Sequence, residues 1–432
     1  MSYIIPHPLK VSFRKKEVHL VAHLLFVACF LMWGGIGLFD TAQSPEIAGA
    51  LKYQDVLVLI GGSYLVFLTL RLGHFSKNYI IVTFGLLTLI SWGVLVGVLH
   101  QNGGRNIALE LRPLLYTFLG VALASLMSRE KIAQNITGYS VLAAIAILIQ
   151  FLIFLRSGRV FVNGVVPGNV NSINLPVVRP QSFHLITIGL IFTYSGLRTR
   201  NRLQTGIITA ILMAALLIMQ SKTYWGLAAF AFLILFLFDK SLSIRVKTRL
   251  GGALFLGGLF LIFITTPLVN KNNQDGGNFV VKKITDIFAD TQVAYRVVGV
   301  RLDEGSLMLD SWRESPATIL FGQGLGYLYR DLNLFYYRAD LRDQERLAMF
   351  GHNYYLWLLL KLGLVGMIIF GGLATYTFAN TMKRSYSLRR HFALAIVVML
   401  TASMFLGTVE NPLGGFLFGL LLFGAIKSED IY

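Results

Sequence analysis

The segment Leu320-Phe321-Gly322-Gln323-Gly324-Leu325-Gly326 decides how the chain is read, together with Gly351-His352-Asn353 and the apolar run that opens Tyr354-Tyr355-Leu356-Trp357. Both lie in or at the end of a long polar stretch, 270–351, with apolar runs on either side. A helix needs about 20 apolar residues to cross ~30 Å of hydrocarbon, and runs of that length recur through the chain. The polar stretch therefore reads as a large loop that leaves a membrane and returns to it on a histidine.

Composition agrees. The 432 residues are 55% hydrophobic and 14% charged, against about 25% charged in soluble domains. The apolar runs are continuous rather than alternating, which favours helices over a barrel, and lipid admits only these two. Twelve helices are expected, at about 18–39, 55–72, 79–100, 112–128, 137–155, 182–197, 204–219, 223–239, 250–269, 353–379, 391–408 and 413–426. The chain divides into helices 1–9 (1–269), the large loop (270–351) and helices 10–12 (352–432). The first run lacks a small-residue cleavage site after it and reads as a retained helix. Cys29 is the sole cysteine, so an intrachain disulfide is excluded.

A formal net charge of +17 invites a nucleic-acid reading, but its distribution argues against one. With the N-terminus inside, the inner segments carry 20 Lys and Arg and the short outer loops seven, Lys52, Arg105, Arg112, Arg156, Arg159, Arg179 and Lys222. Such a bias marks the cytoplasmic face, with anionic lipid as its partner. The 270–351 loop, with ten basic and eleven acidic residues, is too long to vote and falls outside. Within it, Val297–Ser315 has helical spacing of Val300, Leu307, Leu309 and Trp312, and Pro316 with the 322–326 glycines would end that helix.

Phosphate-loop, His-Glu-x-x-His, cysteine-cluster and Asp-x-Asp patterns are all missing, so a metal-free and cofactor-free chemistry is expected. His352 could act as a general base, with Asn353 beside it, or serve as an interfacial polar residue in the aromatic belt of Tyr354, Tyr355 and Trp357. Arg301 and Arg296 suit phosphate recognition through the planar guanidinium fork, or form local pairs with Asp303 and Glu304. Arg179 and Lys222 could bind an anionic headgroup such as a pyrophosphate, or snorkel to lipid. Glu410 could orient His352 or pair with a cation. Lys361 lies roughly 13 Å into its helix at 1.5 Å per residue; charge at that depth is costly and faces a cavity or a partner, and of the two it reads as lining a cavity.

Taken in order, these residues resemble the O-antigen ligase and polysaccharide polymerase family of bacterial envelopes. The motifs are Phe321–Gly326, then His352-Asn353, then Leu362-Gly363-Leu364-Val365-Gly366. Arg301 ahead of Trp312, Ser221-Lys222 (lysine where the family has arginine) and Arg179 before Ser182-Phe183 complete the pattern. The specific part covers about 70 residues, Arg296 to Gly366; elsewhere only the topology matches. The resemblance implies an all-α integral membrane fold with a lipid-donor glycosyltransferase bundle (GT-C-like) and one large periplasmic loop, in the bacterial inner membrane. The implied donor is a glycan on undecaprenyl pyrophosphate. The acceptor is another lipid-linked repeat (polymerase) or lipid A core (ligase), and a chain-length regulator protein is a further expected partner. His352 would take the acceptor proton; Arg301, Arg179 and Lys222 would hold the pyrophosphate. Lys361 stands where many ligases have an acid, which favours the polymerase. A flippase for lipid-linked sugars is the rival from another class, and a protein-directed oligosaccharyltransferase is a third reading within the family.

Overall fold

The computed structural model describes residues 8–32, 53–72, 76–157, 165–166, 177–178, 183–195, 202–219, 222–238, 300–332, 345–349, 353–382, 387–404, 409 and 411–427. Helices dominate them. They are α1 (Pro8–Phe26, continuing as a π turn over Val27–Met32), α2 (Tyr53–Leu72), α3 (Lys77–Leu99), α4 (Gly104–Leu126), α5 (Arg129–Ser157), α6 (Phe183–Ser195), α7 (Arg202–Ile218), α8 (Lys222–Phe238), α9 (Val300–Trp312), α10 (Pro316–Phe321), α11 (Tyr354–Met382), α12 (Ser387–Ala402) and α13 (Pro412–Ile426). Two small antiparallel ribbons accompany them: β1 (Val165–Val166) with β2 (Val177–Val178), and β3 (Tyr329–Leu332) with β4 (Glu345–Ala348). The spans Lys77–Leu99, Gly104–Leu126, Arg129–Leu152 and Tyr354–Thr381 are long and apolar enough to cross a membrane, and His184–Tyr194, Leu203–Ile218 and Pro412–Ile426 are shorter apolar helices. The outward faces are apolar too: on α3, Phe84 is 71% exposed and Ile80, Leu87 and Leu95 are exposed with it. The chain is a mostly helical membrane protein.

Helices overlap every expected segment except 250–269, which lies outside the described residues, as do 270–299 and 350–352. Two starts differ. The expected helix 112–128 begins at Gly104, with Pro113 inside it. Arg112 stood at the edge of the expected span and was counted with the outer-loop cations. In the structure its Nη2 lies 3.1 Å from Asp55 Oδ2, and Tyr116 donates to Asp55 Oδ1 at 3.0 Å. Pairing inside the bundle removes the penalty on charge there. Pro316, expected to end a helix, instead opens one: α9 stops at Trp312, and α10 starts with Pro316 at its first turn behind a reciprocal Ser315–Thr318 cap. Proline's missing N–H costs nothing there.

The centre of the bundle is α13, in which every residue from Leu413 to Ile426 is buried. It lies against α4 with glycine at each close approach. A Cβ on Gly415 would strike the Pro113 carbonyl, one on Gly419 the Thr117 carbonyl, and one on Gly120 the Phe416 carbonyl. Gly415 and Gly419 form a Gly-x-x-x-Gly pair, which lets two membrane helices approach backbone to backbone.

The C-terminal carbonyls of α13 are capped by buried cations. Arg129 Nε donates to Gly424 O at 2.8 Å and its Nη2 to Lys427 O; Arg389 Nη2 donates to Lys427 O at 2.6 Å; Lys427 Nζ reaches Met127 O at 2.6 Å. Cations belong at this negative end of a helix. Asn78, near the start of α3, donates to Ile426 O at 2.7 Å and accepts from Tyr376 of α11. One end of the bundle thus gathers the first turns of α3, α5 and α12 and the end of α13. Arg129, Arg389 and Lys427, counted above as lipid-facing charge, are structural caps.

Candidate functional site

The opposite end is built around the glycine segment. Gly363, at φ 64° and ψ −167°, breaks α11. In an unbroken helix the carbonyls of Leu360, Lys361 and Leu362 would accept from N–H groups four residues on. Here the chain itself substitutes. Gln323 N–H donates to Leu360 O at 2.8 Å, Gly324 N–H to Lys361 O at 2.9 Å, and the Trp92 indole to Leu362 O at 3.2 Å. On the other side, Leu325 N–H donates to Gly93 O of α3 at 2.9 Å, and Asn102 Nδ2 donates to the carbonyls of Gln323 and Leu325, each at 2.9 Å. The segment is therefore a strap wedged between α3, α4 and α11, and irregular backbone is tolerated in a membrane bundle only when enclosed in this way. Its glycines are obligatory: Gly322, Gly324 and Gly326 have φ of 79°, 78° and 85°. A Cβ on Gly322 would meet Lys361 backbone, and one on Gly324 would meet Gly97.

Beneath the strap lies an ion pair. Lys361 Nζ is 2.5 Å from Glu110 Oε1, and both side chains are fully buried. Gly326 N–H donates to Glu110 Oε2, and Lys361 Nζ donates to the Tyr327 carbonyl. Lys361 is thus enclosed and paired, so of its two readings the partner holds and the cavity-lining one is corrected. Glu110 was missed by the sequence reading, which placed it in a loop before residue 112. Yet it is the one acid between Asp55 and Glu130, and a lysine deep in a membrane helix asks for such a partner.

The pair also connects to the return segment. Trp357, 1% exposed, has its indole Nε1 at 3.4 Å from Glu110 Oε1 and 3.2 Å from the Met349 carbonyl. Met349 follows β4 and precedes His352 by three residues. Asn353 caps α11, its Oδ1 accepting from the N–H groups of Tyr355 at 3.1 Å and Leu356 at 3.2 Å, while Tyr354 N–H donates to Ser403 O, just past the end of α12, at 2.8 Å. Asn353, expected beside the base as a substrate-binding residue, thus has a structural role as helix cap.

The helix that carries Arg301 is held to the same place. Buried Glu304 of α9 accepts from Tyr329 OH of β3 at 3.1 Å, and β3 pairs with β4, which leads to Met349. Gly305 abuts Leu356: a Cβ there would lie 3.0 Å from Leu356 Cδ1. Arg301 is one turn from Gly305, and Leu356 one turn from His352 in sequence. Arg301 and Lys222 lie at the starts of α9 and α8; His352, Arg179, Arg296 and Glu410 lie outside the described residues.

Above the strap is a polar cluster. Gln323 Nε2 donates to Glu314 Oε2 at 2.9 Å and Ser311 O at 3.1 Å, and its Oε1 is 3.2 Å from His100 Nδ1. Glu314 and His100 are exposed. Among the described residues no group of three or more His, Cys, Asp or Glu is placed to hold a metal. The architecture can present groups from the α9 and α11 starts to one locus at the polar end, over a floor of buried, mutually bonded charge. No protein-family model matches the chain, and no curated protein matches it significantly.

Proposed function

We propose that the chain is a membrane glycosyltransferase that polymerises lipid-linked oligosaccharide repeats, with undecaprenyl pyrophosphate as the leaving group. The single observation that carries the reading is the linkage of the two elements on which the candidate residues sit. The helix of Arg301 rests on the first turn of α11, directly after His352-Asn353, and is tied to the return segment through Glu304, Tyr329 and the β3–β4 ribbon. In this reading twelve helices form a GT-C-like bundle in the bacterial inner membrane, and the site faces the periplasm. His352 removes the proton from the acceptor hydroxyl. Arg301, with Arg179, Lys222 and Arg296, holds the pyrophosphate and stabilises the charge that grows on it as the glycosidic bond breaks. Outside the cell no nucleotide is needed, because the lipid pyrophosphate is already an activated leaving group.

A broken membrane helix is also found in transporters, where a ligand occupies the freed backbone groups. Here the chain's own strap occupies them, which favours the transferase over the flippase. The test is glycan transfer by purified protein supplied with a lipid-linked donor in excess chelator. His352→Ala should lower turnover by about 10²–10⁴-fold, the usual worth of general base catalysis, with donor binding retained. Arg301→Ala should weaken donor binding as well, and Arg301→Lys should rescue it only in part, because a point charge lacks the fork. Normal transfer by folded His352→Ala protein would refute the assignment.

A further inference from the structure

We propose that Glu110 and Lys361 are positioning residues that fix the return segment at the head of α11, acting through the glycine strap and the Trp357 indole. The proposal rests on the reading of His352 as the base for its consequence in activity, but the mechanical coupling is testable without it.

An ordinary interhelical ion pair touches only its two side chains. This one also takes a backbone donor and a backbone acceptor from adjacent strap residues: Gly326 N–H on Glu110, Tyr327 C=O on Lys361. Those two bonds give the pair a direction. If the charges were exchanged, an ammonium would face an N–H and a carboxylate would face a carbonyl. The pair therefore fixes which way the strap runs, and its depth. Strap and helix break then fix each other, since Gln323 and Gly324 cap Leu360 and Lys361. The short N-terminal half of α11, ahead of Gly363, is thus held by the strap, and is not carried by the rest of its own helix. Trp357 on that half relays the position outward, from Glu110 to the Met349 carbonyl. Enclosure makes the device stiff: Glu110, Lys361 and Trp357 are all essentially without solvent contact.

The experiment is amide hydrogen exchange on the full chain in detergent, read on peptides covering 322–327 and 345–349, alongside transfer kinetics. Glu110→Gln and Lys361→Met should each speed exchange in both peptides by about tenfold or more, because bonded buried amides exchange only through local opening. Trp357→Phe keeps one aromatic ring and removes the indole N–H with the second ring, so it should speed exchange at 345–349 more than at 322–327. Exchanging the charges, Glu110→Lys with Lys361→Glu, should not restore protection. Turnover should fall by about tenfold or more in each folded variant with little change in KM, as expected when a reacting group is misplaced. The proposal is overturned if the charge-exchanged protein regains wild-type protection, or if 345–349 is unaffected by Trp357→Phe. Should a charge variant fail to fold, the Trp357→Phe result decides. If the wild-type protein transfers no glycan, the proposed function fails, while the exchange pattern still settles the coupling.

Discussion

At the scale of single residues, the four glycines around the α11 break admit no side chain. Gly324 combines a left-handed φ with contact against Gly97 backbone. Gly324→Ala should therefore cost about 1–2 kcal/mol for the conformation and about 1–3 kcal/mol more for overpacking. Gly371, inside α11 with open space at its Cβ, is the control, and Gly371→Ala should be neutral or stabilising; thermal unfolding in detergent compares the two. Lys361→Met leaves buried Glu110 without its cation and should cost about 3–5 kcal/mol. Adding Glu110→Gln should cost less than the sum, with a coupling of about 0.5–3 kcal/mol in a double-mutant cycle. The spacing of Gly322, Gly324 and Gly326 was legible in the sequence, and so was the oddity of a lysine at depth. What they touch was not. Gly93, Gly97 and Glu110 lie more than two hundred residues away in sequence, and no local pattern encodes that register. Read alone, the glycines looked like a helix stop.

At the scale of elements, α4 shows why a boundary can hide in plain view. Glu110 fell in the loop ahead of the expected start at 112, and Arg112 was counted with the outer-loop cations, yet each charge has its partner inside the bundle and the helix runs through. Apolar length is a reliable signal because hydrocarbon demands it, so the cores of α2, α3, α5 and α11 were legible. Ends that depend on paired charge were not. The α4–α13 contact is readable in principle from Gly415-x-x-x-Gly419, but the pair is hard to single out in a segment where nearly every residue is apolar. It yields a direct prediction. Gly419→Val must separate two helices in contact at the Thr117 carbonyl, and should cost about 1–3 kcal/mol or more, measured as lowered thermal stability. Gly138→Ala, on α5 with open space at its Cβ, should not.

At the scale of the molecule, the hydrogen bonds themselves sort the helices by end. Asn78 at the start of α3 meets Ile426 at the end of α13, while Gly97 near the end of α3 meets the strap, and Lys361 early in α11 lies at the strap whereas Tyr376 late in α11 reaches Asn78. The strap and the cluster of Arg129, Arg389 and Lys427 therefore occupy opposite ends. That arrangement is the one the count of basic residues implied for the outer loop and the inner face, although three of the cations it counted are buried caps. Which end faces the cytoplasm depends on the remaining exposed charge, and can be measured. In a Cys29→Ser background, Arg313→Cys and Glu314→Cys, exposed beside the strap, should react with a membrane-impermeant thiol reagent on intact cells. Glu130→Cys and Lys131→Cys, exposed at the start of α5, should react only after permeabilisation. The mechanism requires this sense, because a lipid-linked donor without nucleotide belongs outside and the charge count expects every residue assigned to it on the outer side. Labelling in the reverse sense would place the strap in the cytoplasm, where nucleotide donors are at hand, and would remove the reason to invoke lipid pyrophosphate.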